Sequence, residues 1–323
     1  MKRLLFPLCF LLASLACGQA TPTPAPLNRD SLLPPIKYTP EMDFWPPTII
    51  DGWSQPVPLP DPVNTSGGED SPFLLPDSQT LYFFFTPDVS IPAEKQLLDG
   101  VTGIWVTRRS GEIWSEPERI RLSEPGKLAL DGCEFVSGNL MYFCTVREGY
   151  TGIQWFRADF QDGSWQDWCF AGDDLKQSQY EVGELHISAD GQELYFHSSR
   201  LGGLGGLDIW VSQKTTDSWG EPVNLGPIVN TAADEGWPFV SPDGQELWFN
   251  GQSTKGRPGP AIFRSLRQPD GSWGMAEEIV STFAGEPTLS GDGMTLFFVH
   301  HYYSEDLSTM LEADIYVAHR MVP

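Results

Sequence analysis

The chain has 323 residues, 40% of them hydrophobic and 20% charged, so it is long and apolar enough to bury a large core. Its 43 acidic residues against 20 basic ones give a formal net charge of -23, which disfavours binding to a nucleic-acid backbone because such binding needs clustered lysine and arginine. The 32 glycines, 28 prolines and 12 tryptophans favour short strands joined by tight turns over long helices, so we expect an all-β protein with no nucleic-acid partner.

The N-terminal segment has the layout of a secretion signal. Lys2 and Arg3 precede an apolar run, residues 4–16, that is too short to span a bilayer. The end of this run, Ser-Leu-Ala-Cys at residues 14–17, resembles the lipobox of bacterial lipoproteins, in which the cysteine is lipidated and becomes the mature N-terminus. The family prefers Leu three places before the cysteine and a small residue two places before it, so ordinary cleavage between residues 16 and 20 is the alternative.

This resemblance implies a signal peptide over residues 1–16 and lipid attachment at Cys17. It also implies an exported protein, lipid-anchored to the outer side of the cell membrane or held in the periplasm or outer membrane. The next stretch contains TPTPAPLNRDSLLPP, which is rich in Pro and Thr and suits a stalk rather than a packed core. We predict a linker over residues 17–45 and a folded domain over residues 46–323.

Five similar segments follow one another in this domain. A tryptophan marks each boundary, at intervals of roughly fifty to sixty residues: Trp53, Trp114, Trp165, Trp219 and Trp273. Most units hold a turn sequence such as SPDGQELWFNG, in which Pro-Asp and Asp-Gly supply the φ angles that tight hairpins need. Each unit therefore predicts four short antiparallel strands, and the repeat predicts a five-bladed β-propeller with four-stranded blades.

The repeat resembles the WD-like repeats with a Pro-Asp signature of TolB-type β-propellers and of many bacterial surface proteins. The best matches are Ser-Pro-Asp-Gly at residues 241–244 and the segment 203–212. The resemblance implies a propeller that serves as a binding platform, and it leaves the ligand open.

The two ends of the domain complement each other. The domain begins with a fourth-strand sequence, residues 51–59, and ends with a third-strand sequence, residues 313–320. We predict that residues near 53–58 pair with residues 314–319, which closes the fifth blade and removes its open edge.

Two cysteines of the second unit flank a hairpin-like segment. With Gly138-Asn139 as a two-residue turn, the register places Cys133 opposite Cys144. A cross-strand disulfide is one interpretation, and two neutral buried thiols are the other.

Acidic residues recur at or just before the inner strand of each predicted blade. The long connections all fall on the same face of the predicted ring, and loops on a rigid scaffold carry function. We expect the ligand to contact residues on that face: Glu134, Glu184, Glu235, Glu286, Trp237 and Arg200.

The residues leave the chemistry of these acids open. They could solvate a loop rim or accept hydrogen bonds from the backbones of neighbouring blades. They could also bind a divalent cation such as calcium, bind a basic peptide or an amine, or include a catalytic pair as in glycoside hydrolases. The sequence assigns no catalytic pair, no metal-ligand set and no cofactor.

No GxSxG, Walker or GxGxxG segment that would support a serine hydrolase or a nucleotide enzyme is present in the sequence. The segments at residues 162–165 and 270–273 resemble degenerate Asp-boxes of sialidases, which are structural. We predict a non-catalytic binding module for a cell-envelope protein, peptide or glycan. The alternative is an extracytoplasmic glycoside hydrolase, sialidase-like or of another five-bladed type, which needs two carboxylates at reactive separation.

Overall fold

The computed structural model describes residues 29–175, 177, 182–216 and 218–321. The predicted signal peptide and the predicted lipid attachment site, Cys17, lie outside these residues. Helical structure in the described ranges is confined to two short 3-10 helices, Arg29–Leu32 and Pro40–Met42, and one α-helix, α1, Ala93–Gln96. None of these helices could cross a bilayer by length and apolar character. The prediction of an all-β protein is confirmed.

The strands are short, as the frequent turn residues predict. In chain order they are β1 Thr48–Ile49, β2 Val57–Pro58, β3 Gly68–Leu74, β4 Thr80–Thr86, β5 Gly103–Ser110, β6 Ile113–Trp114, β7 Glu118–Arg119, β8 Ala129–Ser137, β9 Leu140–Arg147, β10 Gln154–Gln161 and β11 Ser164–Phe170. They continue with β12 Leu185–Ile187, β13 Glu193–Ser198, β14 Asp208–Gln213, β15 Val223–Asn224, β16 Gly236–Val240, β17 Glu246–Gln252, β18 Pro260–Leu266, β19 Glu277–Ser281, β20 Ala284–Leu289, β21 Thr295–Tyr303 and β22 Met310–His319.

These strands pair in antiparallel groups that follow the sequence repeat. Strands β8 to β11 form one four-stranded sheet, β12 to β15 form a second, and β16 to β19 form a third that β1 extends at its outer edge. The other strands form a nine-stranded sheet, in which one parallel pair, Ala313 with Gly68, joins the group β20 to β22 to the group β3 to β7.

The first strands of the groups lie around a common axis. In the described part of the chain, β3 lies next to β8, β8 next to β12, β12 next to β16, β16 next to β20, and β20 next to β3. The arrangement is propeller-like. It places the start of every first strand at the same end of the axis.

The N-terminal segment contributes strands to two groups. Val57 and Pro58 of β2 pair with Val317 and Tyr316 of β22, as predicted for residues 53–58 and 314–319. The pairing of β1 with β19 was not predicted from the sequence, because two residues are too few to show a strand pattern.

Residues 29–45, which we call the N-terminal strap, contact the sheets, whereas the sequence predicted a linker over residues 17–45. Arg29 is 6% exposed and donates a hydrogen bond to the carbonyl oxygen of Val63 at 3.1 Å. The Lys37 ammonium bonds to the Asp314 carboxylate at 2.5 Å. The strap therefore packs against the sheets, because its few cations meet buried acceptors that lie far away in the sequence.

The tryptophans at the unit boundaries are structural. Four of them are 5–6% exposed, at Trp53, Trp114, Trp165 and Trp219. In four groups, a cationic side chain at the end of the third strand, or just beyond it, lies over the ring of a boundary tryptophan. The four pairs are Arg109 on Trp114, Lys214 on Trp219, Arg267 on Trp273 and Arg320 on Trp53. Cation–π contacts thus help to fix the outer part of the sheets.

Candidate functional site

A β-bulge recurs in the inner strands near the axis. The pairing register shifts by one residue at the same level in β3, β8, β16 and β20. Each bulge holds a residue with positive φ, namely Ser71 at 48°, Cys133 at 55°, Trp237 at 52° and Glu286 at 54°. Bulges re-aim side chains, so residues at this level of several strands turn toward the same point on the axis.

The bulge in β8 also explains the cysteine pair. Phe135 pairs with Tyr142, but Gly132 rather than Cys133 pairs with Cys144. The predicted register is therefore shifted by one residue at this point. Cys133 and Cys144 are nevertheless joined by a disulfide, with Cα atoms 5.3 Å apart, because the extra residue of the bulge still places both sulfur atoms together.

A cavity of about 50 Å³ lies at the level of the bulges. Glu134 of β8, Glu184 just before β12, Glu286 of β20 and Trp237 of β16 all line it. These four residues come from four different groups of strands. The structure thus brings together four of the six residues that the sequence indicated as ligand contacts.

The carboxyl groups of the cavity are poorly compensated. Glu134 is 6% exposed, and neither of its carboxyl oxygens accepts a hydrogen bond from the described residues. Burial raises the pKa of Glu134 to about 8, and the nearby charges of Glu184 and Asp70 add to the shift.

The other two glutamates respond in the same way. Burial, followed by repulsion from Asp70, raises the pKa of Glu184 to about 8, and the adjacent Trp237 indole offsets part of the shift. The pKa of Glu286 is raised well above its usual range by burial and by the charges of Asp70 and Glu184. Glu184 and Glu286 keep partial exposure because they face the cavity. Glu134 and Glu184 are therefore largely protonated at neutral pH.

An aromatic layer closes the inner end of the cavity. The ring of His186 lies 5.0 Å from that of Phe135 and 4.6 Å from that of Phe239, centroid to centroid. His186 Nδ1 accepts a hydrogen bond from the Val240 backbone N–H at 3.0 Å, and burial lowers the pKa of His186 to about 3. His186 is therefore a neutral packing residue. No pattern in the sequence around His186 predicted that this histidine lies in the aromatic layer.

A second, larger cavity of about 330 Å³ lies beyond this layer. Phe73, His186 and Phe239 line both cavities. Most of the other residues around the larger cavity are apolar, among them Leu74, Val136, Ile187, Val240 and Leu289. The residues around the axis are thus acidic on one side of the aromatic layer and mostly apolar on the other.

The acidic cavity lies toward the face that carries the long connections. Residues 87–102, 199–207 and 253–259 join second strands to third strands, and in an antiparallel group such connections lie at the end where the first strand begins. Asp70 lies near this end, with its carboxylate 3.7 Å from His301 Nε2. Loops on this face can therefore contact a partner that binds at the cavity.

Two of the predicted ligand residues lie elsewhere. Glu235 is 2% exposed, and its carboxylate accepts hydrogen bonds from the backbone N–H and the hydroxyl of Thr231. The structure therefore does not bring Glu235 together with the other acids. Arg200 lies over the Trp210 ring at 4.8 Å and is not among the residues around the cavity.

A repeated short pattern could have revealed the role of Glu235. Asn-Thr precedes a glutamate by a fixed interval at residues 64–69 and again at residues 230–235. Thr65 donates from its N–H and its hydroxyl to Glu69 as Thr231 does to Glu235. The pattern is a local motif in which a threonine donates hydrogen bonds to a glutamate four residues later. This motif was not identified from the sequence.

Metal binding has no ligand set in the described part of the chain. No three His, Cys, Asp or Glu side chains there are grouped as ligands of one ion. The carboxyl groups around the cavity are instead available to hydrogen-bond donors.

No protein-family model and no curated protein matches the sequence. Solved structures with some similarity include TolB from Acinetobacter baumannii, with a TM-score of 0.43 and 13% identity over 79% of this chain and 55% of that one. An endo-arabinase from Bacteroides thetaiotaomicron has a TM-score of 0.49 and 16% identity, over 81% of this chain and 96% of that one. An alpha-L-arabinofuranosidase from Podospora anserina, in complex with cellotriose, has a TM-score of 0.47 and 12% identity over 88% and 99%. The chain spans only about half the length of the Acinetobacter protein. With every identity below 25%, function follows from the site itself.

Proposed function

We propose that the protein is an exported, lipid-anchored, five-bladed propeller that acts as a non-catalytic binding module for a cell-envelope protein, peptide or glycan. The ligand binds at the cavity formed by Glu134, Glu184, Glu286 and Trp237. One observation carries this proposal: three carboxyl groups from separate groups of strands converge on the face of the ring that carries the long connections. Neither carboxyl oxygen of Glu134 has a hydrogen-bond donor among the described residues.

The ring architecture is part of the proposal. Its support is the cyclic order of the five first strands and the pairing of β2 with β22, which gives the last group an additional outer strand. Deleting the chain through Pro60 should expose the edge of β22 and reduce solubility and melting temperature. A chain that begins at residue 51, which lacks the N-terminal strap and β1 but keeps β2, is the matched control. Unchanged solubility and melting temperature after the longer deletion would contradict ring closure by β2.

A glycoside hydrolase is the second candidate, because a carboxyl group with a raised pKa can serve as a general acid. The same chemistry needs a second carboxyl group that stays ionised, and none of the three glutamates that line the cavity fits that role, because the pKa values of Glu134, Glu184 and Glu286 are all raised. The cavity of about 50 Å³ is also far below the roughly 300–1,000 Å³ of ordinary ligand pockets. Both observations favour binding of a small group over turnover of a sugar.

Two assays separate the candidates. The wild type and the variants Glu134→Gln, Glu184→Gln and Glu286→Gln are applied to peptide and glycan arrays and to a panel of aryl glycosides, with Glu235→Gln as the control. A binding module captures array members without turnover, and each cavity variant weakens capture by roughly 0.5–3 kcal/mol. Glycoside turnover that one or two of these variants abolish would establish the hydrolase instead. Capture that all three variants leave unchanged would place the site elsewhere.

A further inference from the structure

We propose that the acidic cavity binds the ammonium group of a primary amine, either at the end of a lysine side chain of a partner or in a small alkylamine. This inference rests on the proposed function, because it assigns a ligand class to the same cavity. Its basis is the balance of donors and acceptors in the site.

The acceptors of the cavity outnumber its donors: three carboxyl groups line it, against the Ser71 hydroxyl, the His186 ring and the Trp237 indole N–H, which has no hydrogen-bond partner among the described residues. Neither Lys nor Arg is among the residues that line it. Both carboxyl oxygens of Glu134 and Oε2 of Glu286 are buried without a hydrogen-bond partner in the described part of the chain. An unpaired buried acceptor is costly, so a ligand that supplies donors gains from each one. An ammonium group carries three donors and no acceptor, which matches three carboxyl groups approaching from different strands.

The size and walls of the cavity suit this group. About 50 Å³ holds a few water-sized groups, and an ammonium group is of that size. Pro72, Pro238 and Pro287 line the cavity together with Trp237 and the edge of the aromatic layer. These apolar walls fit the methylene stem that carries an ammonium group, and the Trp237 ring offers a cation–π contact.

The ligand requirements of a metal ion are harder to meet in this cavity than those of an ammonium group. Ammonium nitrogens lie about 2.7–2.9 Å from carboxylate oxygens, whereas calcium requires oxygen ligands at about 2.3–2.6 Å and six or more of them. The described carboxyl groups do not form such a ligand set. An ammonium group needs only three acceptors, and three carboxyl groups line the cavity.

Binding should be linked to proton release. The charged or titratable groups that face the three glutamates are Asp70, Arg119 and the neutral His186, and His301 lies behind Asp70. Only Arg119 is a fixed cation, and its charge is a minor influence on Glu134. Because the glutamates have raised pKa values, an arriving cation displaces their protons. An alkylamine stays protonated up to a pKa of about 10.4, so its affinity should rise between pH 6 and pH 9.

Titration calorimetry on the full-length protein tests the inference. The ligands are propylamine, a short peptide with an acetylated N-terminus and one lysine, and the same peptide with that lysine side chain also acetylated. We expect one amine per protein, affinity that rises with pH, and proton release that shows as a heat dependent on the buffer. Acetylation should abolish binding of the peptide. Binding of propylamine alone would indicate a small free amine as the ligand, whereas binding of the lysine peptide would indicate a lysine of a partner protein.

Variants locate the site. Glu134→Gln and Glu286→Gln should each weaken amine binding about tenfold or more, since a neutral amide oxygen replaces a charged carboxylate as the acceptor. Glu235→Gln removes an equally buried carboxylate outside the cavity and should leave the affinity unchanged. Circular dichroism confirms that each variant is folded, and Trp237→Phe gives a second route to the site if either glutamine variant fails to fold.

Two results would overturn the inference. One is the absence of saturable binding by propylamine and by the lysine peptide at pH 9, and the other is equal amine affinity in the wild type and the cavity variants. If the amines fail but an array ligand is captured and Glu134→Gln weakens its capture, the proposed function stands and the amine assignment falls. If the cavity variants affect neither the amines nor any array ligand, both fall.

Discussion

Removing Lys37 tests the contact between the N-terminal strap and the sheets. Its ammonium group bonds to Asp314 at 2.5 Å and also to Glu312, whose side chains are 1% and 0% exposed. Lys37→Met keeps the apolar stem and removes the charge. Two buried carboxyl groups then lose their cation, which costs about 3–5 kcal/mol for a fully buried pair. Because 38% of the Lys37 side chain is exposed, solvent screening reduces the expected loss to about 2–3 kcal/mol.

The loss should depend on pH in a defined direction. Burial raises the pKa of Glu312 to about 7 despite Lys37, and burial also raises the pKa of Asp314. A carboxyl group whose folded pKa is raised destabilises the fold increasingly as pH rises from its unfolded value through its folded value. Without Lys37 both folded pKa values rise further. The deficit of the variant is therefore largest near pH 8 and small near pH 5.

Urea unfolding at pH 5 and pH 8 measures this deficit. The matched control is Lys127→Met, which removes the exposed partner of Glu148, in a pair whose side chains are 57% and 53% exposed. The control should change the free energy of unfolding by less than about 1 kcal/mol at either pH. Equal losses in the two variants, or a Lys37→Met deficit that is the same at both pH values, would refute the reasoning.

Three further predictions concern other parts of the chain. Glu134→Gln should stabilise the protein at pH 8–9, by about 5 kcal/mol at most, because the pKa of Glu134 is about 8 in the folded protein; near pH 5 the effect should be small. Urea unfolding between pH 5 and pH 9 measures this gain, and a larger gain at pH 5 would contradict the prediction. Replacing both Cys133 and Cys144 with serine opens a cross-link between residues 11 apart and should lower the free energy of unfolding by about 3 kcal/mol, as measured against the oxidised wild type; an unchanged midpoint would argue against the bond. Cys17→Ser should release the protein from the membrane fraction, and unchanged fractionation with no fatty-acid label on the wild type would exclude lipidation.

Local turn chemistry made the strand groups predictable. Asp-Gly and Pro-Asp pairs act within a few residues, so they predicted the hairpins and the repeat that the strand pairing follows. The recurrence of acids at one level of the repeat likewise predicted that Glu134, Glu184 and Glu286 would lie near one another. Both inferences depend on residues that occupy equivalent places in successive units.

Features that depend on distant partners were not predictable. The strap has a Pro-rich composition that indicated a linker, yet Lys37 finds its acceptors some 275 residues later in the chain. The bulge in β8 could not be derived from alternation, and it shifted the register around Cys133. Glu235 has the same spacing as the cavity acids, but the adjacent Thr231 binds its carboxylate. In each case a specific contact outweighs the average tendency of the segment.

A crystal structure of the mature protein grown with propylamine at pH 9 tests the central claim most directly. We predict density for one ammonium group between Glu134, Glu184 and Glu286, with its nitrogen about 2.7–2.9 Å from at least two carboxylate oxygens and its stem toward Trp237. A cavity without amine density at saturating propylamine, or an amine that binds only elsewhere, would contradict the assignment of this cavity as an ammonium-binding site.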